Sequence, residues 1–193
     1  MSGPVGQPSS ESAGRSPSGP MAGEAVRVVR VDRLDDELAH GLAALLVDCV
    51  EGGASVSFMH PLSPDRAVAF WRQIGAAVEA GERVLLVAED ADGVVGTVQL
   101  VLDQPENQPH RADLSKLLVH RRARGRGVGA DLMLAAERAA RECGKTLVVL
   151  DTANPTAERL YERLGWQRCG VIPDFALLPH GGLCPTTIFY RQL

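Results

Sequence analysis

The sequence predicts a single mixed α/β domain, with a mixed central β-sheet flanked by helices on both faces. Three observations predict it. Apolar residues recur first at strand and then at helix spacing in the order β-α-α-β-β-β-α-β-α-β-β, which combines hairpins with βα units. Asp92-Gly93, between two apolar runs, is a strong hairpin signal. The chain's 193 residues, 45% hydrophobic and 23% charged, suit one sizeable core.

Val26–Val31 alternates enough to form the first strand. Leu38, Leu42, Leu45, Leu46 and Cys49 then recur at helical spacing behind Asp35, Asp36 and Glu37, whose charges suit a helix N-terminus, and Gly52-Gly53 ends that helix. Ser63-Pro64 pairs an N-cap with a proline in the first helical position. It opens a second helix through Ala67, Phe70, Trp71, Ile74 and Val78, which Gly81 stops. Arg83–Glu89 and Val94–Leu102 are the hairpin strands, Asp103–Pro109 is a loop, and Arg111–His120 is a long strand. A helix follows (Val128, Leu132, Ala136, Ala139, Cys143), then a strand (Thr146–Leu150) and a short helix (Pro155–Leu164). Two strands, near Trp166–Ile172 and Thr186–Arg191, finish the domain.

Residues 1–24 are read as a disordered tail, because 15 of the 23 residues from Ser2 to Glu24 are Gly, Pro or Ser. That leaves 25–193 as the domain. No apolar run approaches the ~18–20 residues of a membrane span. The net charge of −4 argues against a general nucleic-acid binder. Cys49, Cys143, Cys169 and Cys184 form no C-x-x-C, and His60, His110, His120 and His180 show no metal spacing. A reducing, cytoplasmic setting without a bound metal is therefore expected. One local oddity remains: 18 of the 20 basic residues are Arg, and Arg121, Arg122, Arg124 and Arg126 crowd together.

That crowding sits where a strand ends, a glycine-rich turn follows and a helix begins. Backbone N–H groups at such a turn, with the helix dipole behind them, suit a pyrophosphate. Neither G-x-x-x-x-G-K-[ST] nor G-x-G-x-x-G is present. What stands there is R-x-x-G-x-G, as Arg124-Gly125-Arg126-Gly127-Val128-Gly129. Downstream, Asn154, Ala157, Tyr161, Gly165 and Trp166 complete N-x-x-A-x-x-x-Y-x-x-x-G-[FW].

These two motifs, in this order, resemble the GNAT superfamily of acetyl-CoA-dependent N-acetyltransferases, from Val26 to the end of the chain. Within it, Gly52–Phe58, Glu106–His120 and Val171–Leu177 are similar to the tabtoxin resistance protein group, which acetylates an antibiotic amine. The resemblance implies acetyl-CoA as cosubstrate, cradled by Arg124, Gly125, Arg126, Gly127, Val128, Gly129 and Ala130. Backbone N–H groups of Arg126, Gly127, Val128 and Gly129 would be the main donors. Leu117, Leu118 and Val119 would bind the pantetheine arm through the backbone, with main-chain N–H groups of Leu118 and Val119 polarising the thioester. Tyr161 is the implied general acid for the departing thiolate. Asp151 is either the base that takes the amine proton or a strand-end carboxylate, and Asn154 is either a coenzyme contact or a helix N-cap. Arg121 or Arg122 would reach the 3′-phosphate or remain solvated. Phe58, Asp174 and Phe175 would line the acceptor pocket.

The expected activity is transfer of acetyl to a primary amine of a small, antibiotic-like or amino-acid-like molecule, directly in a ternary complex. No nucleic acid or membrane partner is expected, and a homodimer is compatible with the fold. The competing readings are a protein N-terminal acetyltransferase, a non-catalytic acetyl-CoA sensor, and an RNA binder using the arginine cluster.

Overall fold

The computed structural model describes residues 25–193; the expected tail at 1–24 lies outside the described residues. In chain order the elements are β1 (Arg27–Val31), α1 (Asp36–Glu51), α2 (Pro64–Glu79), β2 (Arg83–Asp90), β3 (Gly93–Val101) and β4 (Arg111–Val119). A 3-10 turn (Arg121–Ala123) leads to α3 (Val128–Glu142), β5 (Leu147–Thr152), α4 (Pro155–Arg163), β6 (Gln167–Leu177) and β7 (Leu183–Gln192). The strands form one mixed sheet in the order β1-β2-β3-β4-β5-β7-β6. Ser63 caps α2 ahead of Pro64, as the sequence reads, and Asp35, read only as part of an acidic helix start, is the N-cap of α1, accepting from the Leu38 N–H at 2.8 Å.

Helices cover both faces. On one, Leu132, Met133 and Ala136 of α3 and Tyr161 of α4 pack on Val98, Leu100 and Leu114. On the other, Leu42 and Leu46 of α1 and Trp71 of α2 pack on Leu85 and Val87. Alternation along β2 serves both cores, so the strand reads as a continuous apolar run. Gly96 lets α3 sit directly on β3. A Cβ there would come within 2.9 Å of Leu132 Cδ1 and 3.1 Å of the Leu118 carbonyl.

Two irregularities in β4 shape the functional end of the sheet. First, Thr97 lies opposite Leu118 but Gln99 lies opposite Ser115, so β4 carries one extra residue around Lys116, which has φ +54°. This bulge exchanges the faces of the strand. Leu114, before it, joins the α3 core, whereas Leu118, after it, joins the α1/α2 core. Second, β4 and β5 are parallel and pair only at Arg111–Leu147, Ala112–Val148 and Asp113–Val149. Beyond that the strands separate, because β5 continues on β7 as far as Thr152–Thr187 while β4 continues on β3.

The last hairpin is longer than the sequence predicts. Pro173 and Asp174, which read as the end of a strand, instead form a bulge between the pairs Ile172–Thr186 and Ala176–Cys184. An edge strand tolerates the proline, since β6 pairs only with β7. Val171, Ile172, Phe175, Leu177 and Leu183 are exposed along this edge.

Candidate active site

The glycine-rich turn follows β4 directly. The His120 imidazole Nδ1 accepts from the Arg122 N–H at 3.2 Å and starts the 3-10 turn. Gly127, in the left-handed region at φ +86°, then turns the chain into α3. Its carbonyl accepts from Ala130 at 2.9 Å and from Asp131 at 3.2 Å. The N–H groups of Gly127, Val128 and Gly129 have no acceptor among the described residues. The Arg126 N–H, expected among the outward donors, is turned back toward the Ala123 carbonyl at 3.4 Å. Gly129 has a packing reason to be small, because a Cβ would lie 3.2 Å from Leu160 of α4.

The gap between β4 and β5 runs on from this turn. The His120 N–H bonds the Val95 carbonyl at 2.9 Å, so strand alternation directs the Leu118 backbone groups to β3 and those of Val119 to the gap. Of the two expected thioester donors, only Val119 therefore has its N–H on the open side. Asp151 stands at the other edge of the gap, exposed, and accepts the Thr186 hydroxyl at 2.7 Å. Tyr161 of α4 is 4% exposed, with its ring edge-on to Phe189 at 5.6 Å. Burial, with the Asp151 charge adding to it, pushes the phenol well above its ordinary range, so it stays protonated. Proton donation is the chemistry open to it.

A glycine-bordered helix start, a splayed parallel strand pair and a protonated tyrosine thus stand together at one end of the sheet. Residues 41–166 match the Acetyltransferase (GNAT) family. The chain belongs to that family. Over 87 residues it is 39% identical to N-acetyltransferase 8B of Homo sapiens, a match covering 44% of this chain and 38% of that protein. The matched region thus spans less than half of that relative's length. The fold is similar to a GCN5-related N-acetyltransferase from Kribbella flavida, with TM-score 0.71, 25% identity and 88% and 98% of the two chains covered. It is also similar to yncA of Salmonella typhimurium, solved with acetyl-CoA, with TM-score 0.72, 21% identity and 88% and 94% covered.

In this acetyltransferase the arginine cluster is held in place by acidic partners. Arg122 donates to both Asp90 oxygens at 2.9 and 2.8 Å, and Arg126 reaches Asp90 at 3.3 Å. Burial would raise the Asp90 carboxyl, but hydrogen bonds from Arg122, the Asp92 N–H and Arg126, with the charge of Arg122, outweigh it and hold the group below the usual range. Arg121 is bound to Asp48, and Arg124 Nε donates to the Val119 carbonyl at 3.2 Å. The crowding therefore fastens the turn to α1 and the β2–β3 hairpin.

The second motif is largely structural. Asn154 caps α4, accepting from Thr156 at 2.8 Å and Ala157 at 3.3 Å, so the helix N-cap expected as one alternative is what its carboxamide oxygen does. Trp166 is buried and donates to Glu137 at 3.0 Å. Gly165 has φ +80°, and a Cβ there would collide with Arg191 at 2.5 Å. That leaves Tyr161 as the motif residue beside Asp151. Phe58 does not stand alone as a pocket wall; it packs edge-on against Phe70 at 5.2 Å. Phe175 is exposed, next to Asp174 in the β6 bulge.

The sequence reasoning gave no role to Lys116. Its side chain donates to Ser57 at 3.1 Å, and burial, opposed by Asp151 and aided by Arg83, pulls its ammonium below the ordinary range. A lysine within an otherwise regular strand pattern gives no signal of a bulge. Cys49, beneath Val119, is also buried, which pushes its thiol up and keeps it un-ionised. Among the described residues no cluster of three or more His, Cys, Asp or Glu could hold a metal ion, and no helix is long and apolar enough to cross a membrane.

Proposed function

We propose that the enzyme acetylates a primary amine of a small molecule by direct transfer in a ternary complex. The observation that carries this reading is the closure of the acceptor side. The α1–α2 loop is tied to the β6–β7 hairpin, with His60 N–H on the Pro179 carbonyl at 3.0 Å and Ser55 hydroxyl on the Leu177 carbonyl at 3.5 Å. Phe58, Asp174 and Phe175 lie on these two segments and are proposed to border the acceptor. Tied segments favour a small amine over an extended peptide, which needs an open groove.

The unpartnered N–H groups of Gly127, Val128 and Gly129, with Arg124, Gly125, Arg126 and Ala130 around them, fit a pyrophosphate. Leu117, Leu118 and Val119 present the strand along which an extended, amide-bearing arm fits, with the Val119 N–H as the donor to the carbonyl oxygen. Acetyl-CoA supplies the activated acetyl group; the amine nitrogen gains the N–C bond as the C–S bond breaks. Asp151 takes the proton of the acceptor ammonium, held in orientation by Thr186. Tyr161 gives its phenolic proton to the departing sulfur and regains one through solvent.

Thiols at all four cysteines fit a cytoplasmic enzyme. Similarity of Gly52–Phe58, Glu106–His120 and Val171–Leu177 to the tabtoxin resistance group supports an antibiotic-type acceptor, and the apolar β6 edge supports a homodimer. A thiol-release assay with acetyl-CoA over amine-bearing antibiotics, amino acids, polyamines and short peptides tests the reading. Turnover of small amines is expected. Turnover confined to peptides would replace it with N-terminal acetylation, and acetyl-CoA binding without any turnover would replace it with a sensor.

A further inference from the structure

Two cations on the α1/α2 side of the cleft lack an anionic partner. Arg83, half-buried at the start of β2, donates to the neutral Gln99 side-chain oxygen at 3.0 Å. Lys116, half-buried in the β4 bulge, donates to the neutral Ser57 hydroxyl. Among the described residues neither has a carboxylate within the 4.0 Å of an ion pair. Yet they are close enough that the Arg83 charge acts on Lys116, though less strongly than the opposing charge of Asp151, which forms no ion pair with it. Half-buried like charges near one another are unfavourable unless an anion joins them.

A third group points the same way. Gln99 is fully buried, and its oxygen is taken by Arg83, which leaves its side-chain nitrogen buried without an acceptor. Gln99 lies opposite Ser115, the residue before Lys116. The set is therefore rich in donors and short of one acceptor. The acids nearby do not supply it. Asp113 is paired with Arg111 at 2.6 Å, and Asp151 holds Thr186. The backbone adds weight. At φ +54° glycine or asparagine is the low-strain residue, but this position carries a lysine, whose long side chain the bulge delivers to the cleft.

We propose that Lys116 and Arg83 read a carboxylate on the acceptor, so that the substrate is an amine of the α-amino-acid kind. Its ammonium faces Asp151 and its carboxylate faces Lys116. This rests on the amine-acceptor reading above and narrows it. A zwitterion matches the two sides of the cleft in sign, and it joins Asp151 and Lys116 without closing them on each other.

The test uses matched acceptors: α-amino acids, their carboxamides, and the amines left by removing the carboxylate, each assayed by thiol release on the full chain. The wild type is expected to favour amino acid over matched amine by about tenfold or more in kcat/KM. Lys116→Met should lower kcat/KM for the amino acid at least about tenfold more than for the matched amine, and Lys116→Arg should restore most of that preference. Circular dichroism melting identifies a variant that fails to fold; Arg83→Met then carries the same comparison. Equal use of the three acceptors by the wild type, or a preference unchanged in both Met variants, overturns this inference and leaves amine acetylation intact. Acetyl-CoA binding with no turnover of any acceptor overturns both.

Discussion

The Thr186 hydroxyl donates to the Asp151 carboxylate at 2.7 Å, linking β7 to the end of β5 at the edge of the gap. Thr186 is buried and Asp151 exposed, so the pair holds an accessible carboxylate from a fixed support. Asp151→Asn is expected to lower kcat by ~100-fold or more with little change in melting temperature. Thr186→Val should cost less, about 3- to 10-fold, because it frees the carboxylate without removing it. Initial rates beside thermal melts check both, and an Asp151→Asn enzyme of full activity would remove the base.

Tyr161→Phe should lower kcat by about 100-fold and leave acetyl-CoA affinity within about twofold, since the ring contacts to Phe189 and Trp166 survive. The pH profile carries a second expectation. A phenol pushed upward by burial and by Asp151 stays protonated through the alkaline range, so Tyr161 produces no falling limb in kcat below about pH 10. Isothermal titration with acetyl-CoA and a kcat–pH series measure these.

Asp90→Asn should loosen the turn that Arg122 and Arg126 fasten. The expected results at pH 7 are a higher KM for acetyl-CoA and a lower melting temperature, by about 2–4 °C. The folded carboxyl lies below its unfolded value, so it contributes stability above the unfolded pKa, which is lost as pH falls through the folded one. The gap between wild type and Asp90→Asn should accordingly close below about pH 4. Melting curves from pH 7 to pH 3 follow it.

Gly127 and Gly129 should separate binding from packing. At φ +86° with open space around it, Gly127→Ala costs about 1 kcal/mol of backbone strain and weakens acetyl-CoA binding. Gly129→Val meets Leu160 and should destabilise the α3–α4 contact by about 1–3 kcal/mol. Urea unfolding with paired acetyl-CoA titrations distinguishes them.

Much of this was legible in the chain. Ser63 announced its helix, and Asn154 offered a cap as one of two readings, because a cap is a local hydrogen bond between residues two or three apart. The R-x-x-G-x-G turn and Tyr161 were legible for a similar reason: glycine at a left-handed turn and a spaced motif are written in short segments. The β6 bulge at Pro173-Asp174 was not, because a proline reads as a terminator until the strand is known to lie on an edge.

The sequence by itself determined the order of elements, the two-faced core and the family, all of which depend on neighbours a few residues away. Tertiary structure decided the partners. Only the folded chain brings Arg122 to Asp90 and Thr186 to Asp151, across as many as 35 positions. It also decided that Lys116 reaches Ser57 of the α1–α2 loop. Strand alternation alone does not reveal where a bulge falls, and here one extra residue in β4 exchanges the faces of the strand.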